Sequence, residues 1–246
     1  PIRTAEDVAR LTVPDAEDAL SFVMQAADIC KRELSDKVPN IGFAGAPFTV
    51  AMYMVEGGPS ARFHKARMMM FEAPEVFEAL VAKVAEMTTG YVLGQVRHGV
   101  DAMIMFDSLA KMVSKEEYDR FALPYAKKTF EAVKATGVPT LYYVNGFTSL
   151  ATSIKEVGVD VYGLDWRTPI NQILHILGND IVIQGNLDPY ALFASDALMR
   201  QRVQLILDQA SRARSHVFSL GEGIMPETPV AKARAMVDAV HELSRK

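Results

Sequence analysis

The sequence predicts an α/β fold of the (β/α)8 barrel type, and three observations carry that expectation. Short apolar runs rich in β-branched residues alternate with longer amphipathic segments. The runs are apolar throughout rather than alternating, as strands of a parallel sheet covered on both faces are. Polar residues gather just past the ends of these runs, at Asp107-Ser108, Asn145-Gly146, Asp165-Trp166-Arg167, Asn186-Leu187-Asp188 and Gly221-Glu222-Gly223. In a barrel those positions converge on the C-terminal mouth, where barrel enzymes keep their chemistry. An open doubly wound sheet fits the alternation equally but would hold most of them far apart.

The runs predict six strands, at residues 40–44, 102–106, 140–144, 161–164, 181–184 and 216–219. Helical periodicity covers 15–36, 47–55, 61–71, 74–98, 115–135, 149–156, 169–177, 196–213 and 229–244. Pro47, Pro74, Pro169 and Pro229 suit first-turn positions, Thr168 and Thr228 suit caps of the helices that follow them, and Gly137 and Gly158 suit helix ends. Six strands are two short of a closed barrel. Together with the Pro-Ile-Arg start, this gives the expectation of one domain, residues 1–246, lacking its first two strand-helix units.

Half of the 246 residues are apolar and 23% are charged, the composition of a chain that folds around a core. A net charge of −4 and a pI near 5.8 exclude a general attraction to nucleic acid or to an anionic membrane surface. No run of apolar residues is long enough to span a bilayer. The single cysteine, Cys30, lies in a helical pattern, so neither a disulfide framework nor a cysteine zinc site is expected, and a reducing cytoplasm is the expected compartment. None of His64, His98, His175, His216 and His241 pairs with another His or a Cys at metal-site spacing, so no metal is expected. A GxSxG nucleophile elbow is absent.

Several stretches can carry chemistry, each with a plainer reading beside it. "IGFAGAPFTVAMYMVEGGPS" is a strand, a tight Gly-Ala-Pro turn and a helix; it has neither the Gly-Lys-Ser/Thr of a phosphate loop nor GxGxxG. Tyr53 in it is either a core tyrosine or a hydroxyl at the mouth. In "FDSLA", Ser108 either caps the next segment or donates to a ligand carboxylate, and Asp107 is equally a structural anchor. "GLDWR" and "QGNLDP" read as turn chemistry at strand ends. Glu222, between two glycines that let backbone approach a ligand, is a helix cap, a solvated side chain, or an acid, base or acceptor at the mouth.

Taken in order, "GFAGAPFTVAMYMVEGG", "MIMFDS", "FALPY", "YYVNG", "VYGLDWR", "QGNLDPYALFA" and "LGEGIMPETP" resemble the uroporphyrinogen decarboxylase family over nearly the whole chain. The resemblance implies a (β/α)8 barrel, a common homodimeric state, and a cofactor-free reaction on a small tetrapyrrole. In that reaction the four acetate side chains of uroporphyrinogen III lose carbon dioxide to give coproporphyrinogen III. It implies substrate-binding roles for Tyr53 and Ser108 and places Phe43 and Phe106 beside the macrocycle. Two departures stand out. The family pattern has histidine at Glu222, where an ionised glutamate would repel a substrate with eight carboxylates unless its pKa is raised or a cation is near. The family's Arg-Gln-Ala-Gly-Arg stretch and its central aspartate have no counterpart here, so no catalytic residue is assigned and little activity is expected of this chain alone. Two competing readings are a non-catalytic porphyrin-binding or regulatory relative and a cobamide-dependent methyltransferase. The second is disfavoured because its zinc needs cysteine ligands.

Overall fold

In the computed structural model, residues 1–34 and 37–244 are described. The elements in order are α1 (Ala5–Arg10), α2 (Ala16–Ala19), α3 (Ser21–Leu34), β1 (Ile41–Gly45), α4 (Pro47–Glu56), α5 (His64–Glu72), α6 (Pro74–Arg97), β2 (Ala102–Asp107), α7 (Lys115–Phe121), α8 (Leu123–Lys134), β3 (Thr140–Val144), α9 (Phe147–Val157), β4 (Val161–Leu164), α10 (Ile170–Leu177), β5 (Val182–Leu187), α11 (Asp196–Ala210), β6 (Ser215–Leu220) and α12 (Val230–Leu243). Short 3-10 turns occupy Ala110–Met112 and Pro189–Phe193. All six predicted strands form, in a parallel β/α alternation of the TIM-barrel type. The chain divides into two compact units, residues 1–145 with 153–159 and residues 146–152 with 160–246.

In the first unit β1 pairs with β2 and β2 with β3, setting Gly45 beside Phe106 and Phe106 beside Tyr143. Successive strand side chains point to opposite faces. Ile41, Phe43 and Phe106 are exposed on one face, whereas Ala44, Met103, Met105 and Tyr142 are buried on the other. The helical layer over the buried face is held by an edge-to-face chain of rings, Phe48 to Phe77 at 6.1 Å and Phe77 to Phe121 at 5.3 Å. The second unit pairs β4 with β5 and β5 with β6, and its core joins Leu187, Leu192, Met199 and Val203 to Phe218 and Met236.

Helix ends differ from expectation where a distant group or a proline intervenes. The helix expected over 15–36 breaks at Leu20 into α2, capped by Asp15, and α3; its last two residues lie outside the described residues. The helix expected over 115–135 divides at Ala122, because Pro124 has no N–H for the carbonyl four residues back and suits a first turn instead. Pro47 and Pro74 do open α4 and α6. Pro169 and Pro229 stand one place earlier, at the N-cap, and neither helix has a side-chain cap. Thr168 is therefore not a cap: its hydroxyl donates to Asp165 at 2.9 Å, and the Thr228 hydroxyl is buried without a partner.

One side chain on α6 takes the place of a neighbouring strand. Even-numbered residues of β1 bond toward β2, as Asn40 and Ala46 show, so the Phe43 amide faces the opposite edge. There the Gln95 amide mimics a strand: the Phe43 N–H donates to its Oε1 and its Nε2 donates to the Phe43 carbonyl, both at 3.1 Å. Gly42 admits this approach, since a Cβ there would lie 2.9 Å from Gln95 Oε1 and 2.7 Å from Met103 Cε. Gln95→Ala is expected to destabilise the protein by about 2 kcal/mol, the cost of leaving buried groups unpaired. Equilibrium urea unfolding checks this, and an unchanged midpoint would mean that the bridge contributes nothing.

Candidate functional site

Four of the five predicted site residues fall in the first unit, around the C-terminal ends of β1 and β2. Phe43 is 61% exposed, and its ring meets Phe106 edge-on at 6.4 Å; Phe106 in turn lies 5.7 Å from Tyr143. The strand pairing thus lays an open aromatic face across three strands. Tyr53 is not a core residue: it is exposed on α4, and its ring stands against Phe63 at 5.2 Å. Ser108 is half-buried in the turn after β2. It caps nothing there, since Leu109 holds the cap position of the 3-10 turn and Ser114 caps α7. Its hydroxyl therefore belongs to the turn that follows the aromatic face.

Asp107 lies between Phe106 and Ser108 yet points to the opposite face, completely buried. Thr49 Oγ1 donates to its Oδ1 at 2.6 Å and Tyr142 OH to its Oδ2 at 2.8 Å; the Tyr118 hydroxyl stands 3.1 Å from that of Tyr142. Thr49 also accepts from the Leu109 N–H at 3.1 Å. The carboxyl is thus the anchor of the turn that presents Ser108. Burial pushes its pKa up to about 6, against the two hydroxyl bonds that pull it down.

Glu222 belongs to the second unit. The Trp166 N–H donates to the Gly221 carbonyl at 3.2 Å and the Gly221 N–H to that of Leu187 at 2.8 Å. A Cβ at Gly221 would fall 2.3 Å from Trp166 N, so only glycine fits. Glu222 Oε2 then accepts from Trp166 Nε1 at 3.0 Å, and the Arg167 guanidinium lies 5.1 Å from the indole centroid. Glu222 is therefore held by the tryptophan, a partnership across 56 positions of sequence that local reading misses.

Asp165 organises this end of the unit. Its carboxylate accepts from the N–H groups of Gly146, Phe147 and Arg167, from Arg167 Nε and from the Thr168 hydroxyl, all between 2.9 and 3.1 Å. Burial alone would raise its pKa, but bonds from Thr168, Arg167 and Phe147 together hold it below the ordinary value. These contacts start α9 two residues before the expected 149. Asp188 accepts from the Tyr190 N–H at 2.9 Å, the turn read from sequence. A cavity of about 500 Å³ lies beside it, but it opens on α11 residues such as Leu198 and Leu205, and no predicted site residue lines it.

Among the described residues no three His, Cys, Asp or Glu side chains come together as a metal site, and no helix is long and apolar enough to cross a membrane. The C-terminal ends of parallel strands, where Phe106 and Ser108 lie, are where enzymes of the barrel type keep their chemistry. The chain belongs to the uroporphyrinogen decarboxylase family, whose model, "Uroporphyrinogen decarboxylase (URO-D)", matches residues 1–243. It is 43% identical to a uroporphyrinogen decarboxylase of Carboxydothermus hydrogenoformans, over 99% of this chain and 70% of that protein. A second, from Citrifermentans bemidjiense, is 41% identical over 100% of this chain and 72% of its own length. A solved methyltransferase from Methanosarcina mazei shares the fold, with a TM-score of 0.83 at 18% identity, covering 97% of this chain and 69% of that one.

The pKa of Asp107 makes stability depend on pH. A carboxyl whose folded pKa is raised favours the fold when protonated, and this advantage is lost as pH rises through about 6. Between pH 4 and pH 7.5 the protein is expected to lose roughly 3 kcal/mol relative to Asp107→Asn. Parallel stability profiles for the two proteins in chemical denaturation would show that the carboxyl does not ionise differently on folding.

Proposed function

We propose that this chain binds uroporphyrinogen on the Phe43 and Phe106 face and serves its conversion to coproporphyrinogen, as a cofactor-free decarboxylase of tetrapyrrole biosynthesis. The observation that carries the reading is the solvent-open aromatic face of Phe43 and Phe106, with Tyr53 exposed on the helix that follows β1 and Ser108 in the turn that follows β2, in a chain of this family. The rings of Phe43 and Phe106 pack against the macrocycle, and the hydroxyls of Tyr53 and Ser108 donate to carboxylates at its rim. The reading extends to a cytoplasmic homodimer.

The chemistry is electronic. A proton added to the ring carbon next to the one that bears the acetate leaves the acetate-bearing carbon cationic and turns the ring into an electron sink. The pair of the bond to the carboxylate then flows toward the ring as carbon dioxide leaves, giving an exocyclic methylene; this methylene takes up a proton to become methyl, and the ring carbon gives back its own proton to restore the pyrrole. The protein's share is to hold the ring and its carboxylates in place and to stabilise the charge that moves. No residue of this chain is assigned the proton transfers.

Titration with free uroporphyrin, the fluorescent oxidised form, tests the reading, together with assay of carbon dioxide and coproporphyrinogen from uroporphyrinogen. Tyr53→Phe and Ser108→Ala are each expected to weaken binding about tenfold, the worth of one hydrogen bond to a charged group. Glu222→His is expected to strengthen binding as pH falls from 8 to 6, when the imidazole gains its proton. A chain that binds no porphyrin contradicts the reading. Binding without release of carbon dioxide moves it to a binding role.

A further inference from the structure

The segment between α4 and α5 concentrates positive charge that the roles above leave unused. Arg62, His64 and Arg67 line a cavity of about 330 Å³ whose apolar wall includes Met68 and Met112. Among the described residues neither the Arg62 nor the Arg67 guanidinium is hydrogen-bonded or ion-paired. One carboxylate, Glu72, also lines the cavity, so the lining is net positive. Glu117 feels Arg67 only as the weakest of its influences, after the Ser114 hydroxyl that chiefly lowers its pKa. Glu56 is occupied in accepting from the N–H groups of Lys65 and Ala66, at 3.0 and 3.3 Å, and so closes the start of α5.

The cavity is connected along the chain to the helix of Tyr53 and to the turn of Ser108. Phe63 is buried and takes a left-handed backbone, φ 47°, that residues other than glycine seldom adopt. The Ser60 hydroxyl fixes this turn by accepting from the N–H groups of Arg62 and Phe63, at 3.3 and 3.2 Å. Phe63 thereby turns its ring onto Tyr53 while its neighbours Arg62 and His64 line the cavity. Met112, at the end of the 3-10 turn that begins two residues beyond Ser108, also lines the cavity. Unpaired guanidiniums over an apolar wall suit a carboxylate carried on an organic ring, with forked N–H groups for its two oxygens.

We propose that Arg62 and Arg67 form a carboxylate subsite that holds a peripheral carboxylate of the ligand seated at Tyr53 and Ser108. The proposal rests on the tetrapyrrole reading and adds to it the cations that such a ligand requires.

Fluorescence titration with uroporphyrin and with coproporphyrin, which has half as many carboxylates, tests it in Arg62→Gln, Arg67→Gln, the double variant and the double lysine variant. Both side chains are exposed and unpaired, so the melting temperature is expected to stay unchanged. Each glutamine is expected to weaken uroporphyrin binding about tenfold and to flatten its salt dependence, with lysine restoring part of the loss. Lys127→Gln/Lys128→Gln, which removes the same charge from exposed positions on α8, is expected to bind as the parent does. If the parent binds and Tyr53→Phe weakens it while the double glutamine variant matches the parent, the subsite is overturned and the tetrapyrrole reading stands. The subsite is likewise overturned if the α8 variant loses as much affinity. If the parent binds no porphyrin, both fall.

Discussion

The buried carboxyl of Asp107 is the constraint on which the first unit's site depends. A strand alternates its side chains, so fixing Asp107 on the helical face turns Phe106 to the open face. Thr49 ties α4 to this carboxyl and also accepts the Leu109 N–H, and Tyr142 ties β3 to it. Three elements that carry or flank Phe106, Ser108 and Tyr53 therefore meet at one group. A buried polar network of this kind is costly unless every member is satisfied, and here hydroxyls supply both oxygens with donors.

The second unit uses a buried carboxylate differently. Asp165 accepts five bonds, one from a guanidinium, and stays ionised, whereas Asp107 has only hydroxyl partners and is driven toward protonation. The same residue type at the ends of two strands thus acquires opposite electrostatics from its donors. Asp165 starts α9 and holds Arg167, while the close approach at Gly221 brings Trp166 to Glu222. Glu222 is thereby held by a neutral indole donor.

Much of this was legible in the sequence, and the boundary is physical. Strands were legible because apolar runs reflect burial on both faces, whereas Tyr53, Ser108, Phe43 and Phe106 were expected as site residues through motif resemblance alone. Interactions between distant residues left no local signal: Gln95 bridging β1, Asp165 starting α9 and Trp166 holding Glu222 join positions 18 to 56 apart. Thr168 looked like a cap because spacing cannot reveal a nearby carboxylate competing for its hydroxyl. Nothing in the sequence sets Arg62 and Arg67 apart from ordinary solvated charges; what distinguishes them is a common cavity and, among the described residues, guanidiniums without a hydrogen bond or ion pair.

The central claim is that the ligand lies on the Phe43 and Phe106 face and reaches the turn held by Asp107. Amide hydrogen exchange with and without uroporphyrin, followed by mass spectrometry of peptic fragments, measures this directly. The account predicts slowed exchange in fragments covering Ile41–Gly45 and the turn from Phe106 to Leu109, with α8 unchanged. Slowing confined to the α11 side of the second unit, with the β1 and β2 ends unaffected, would contradict it.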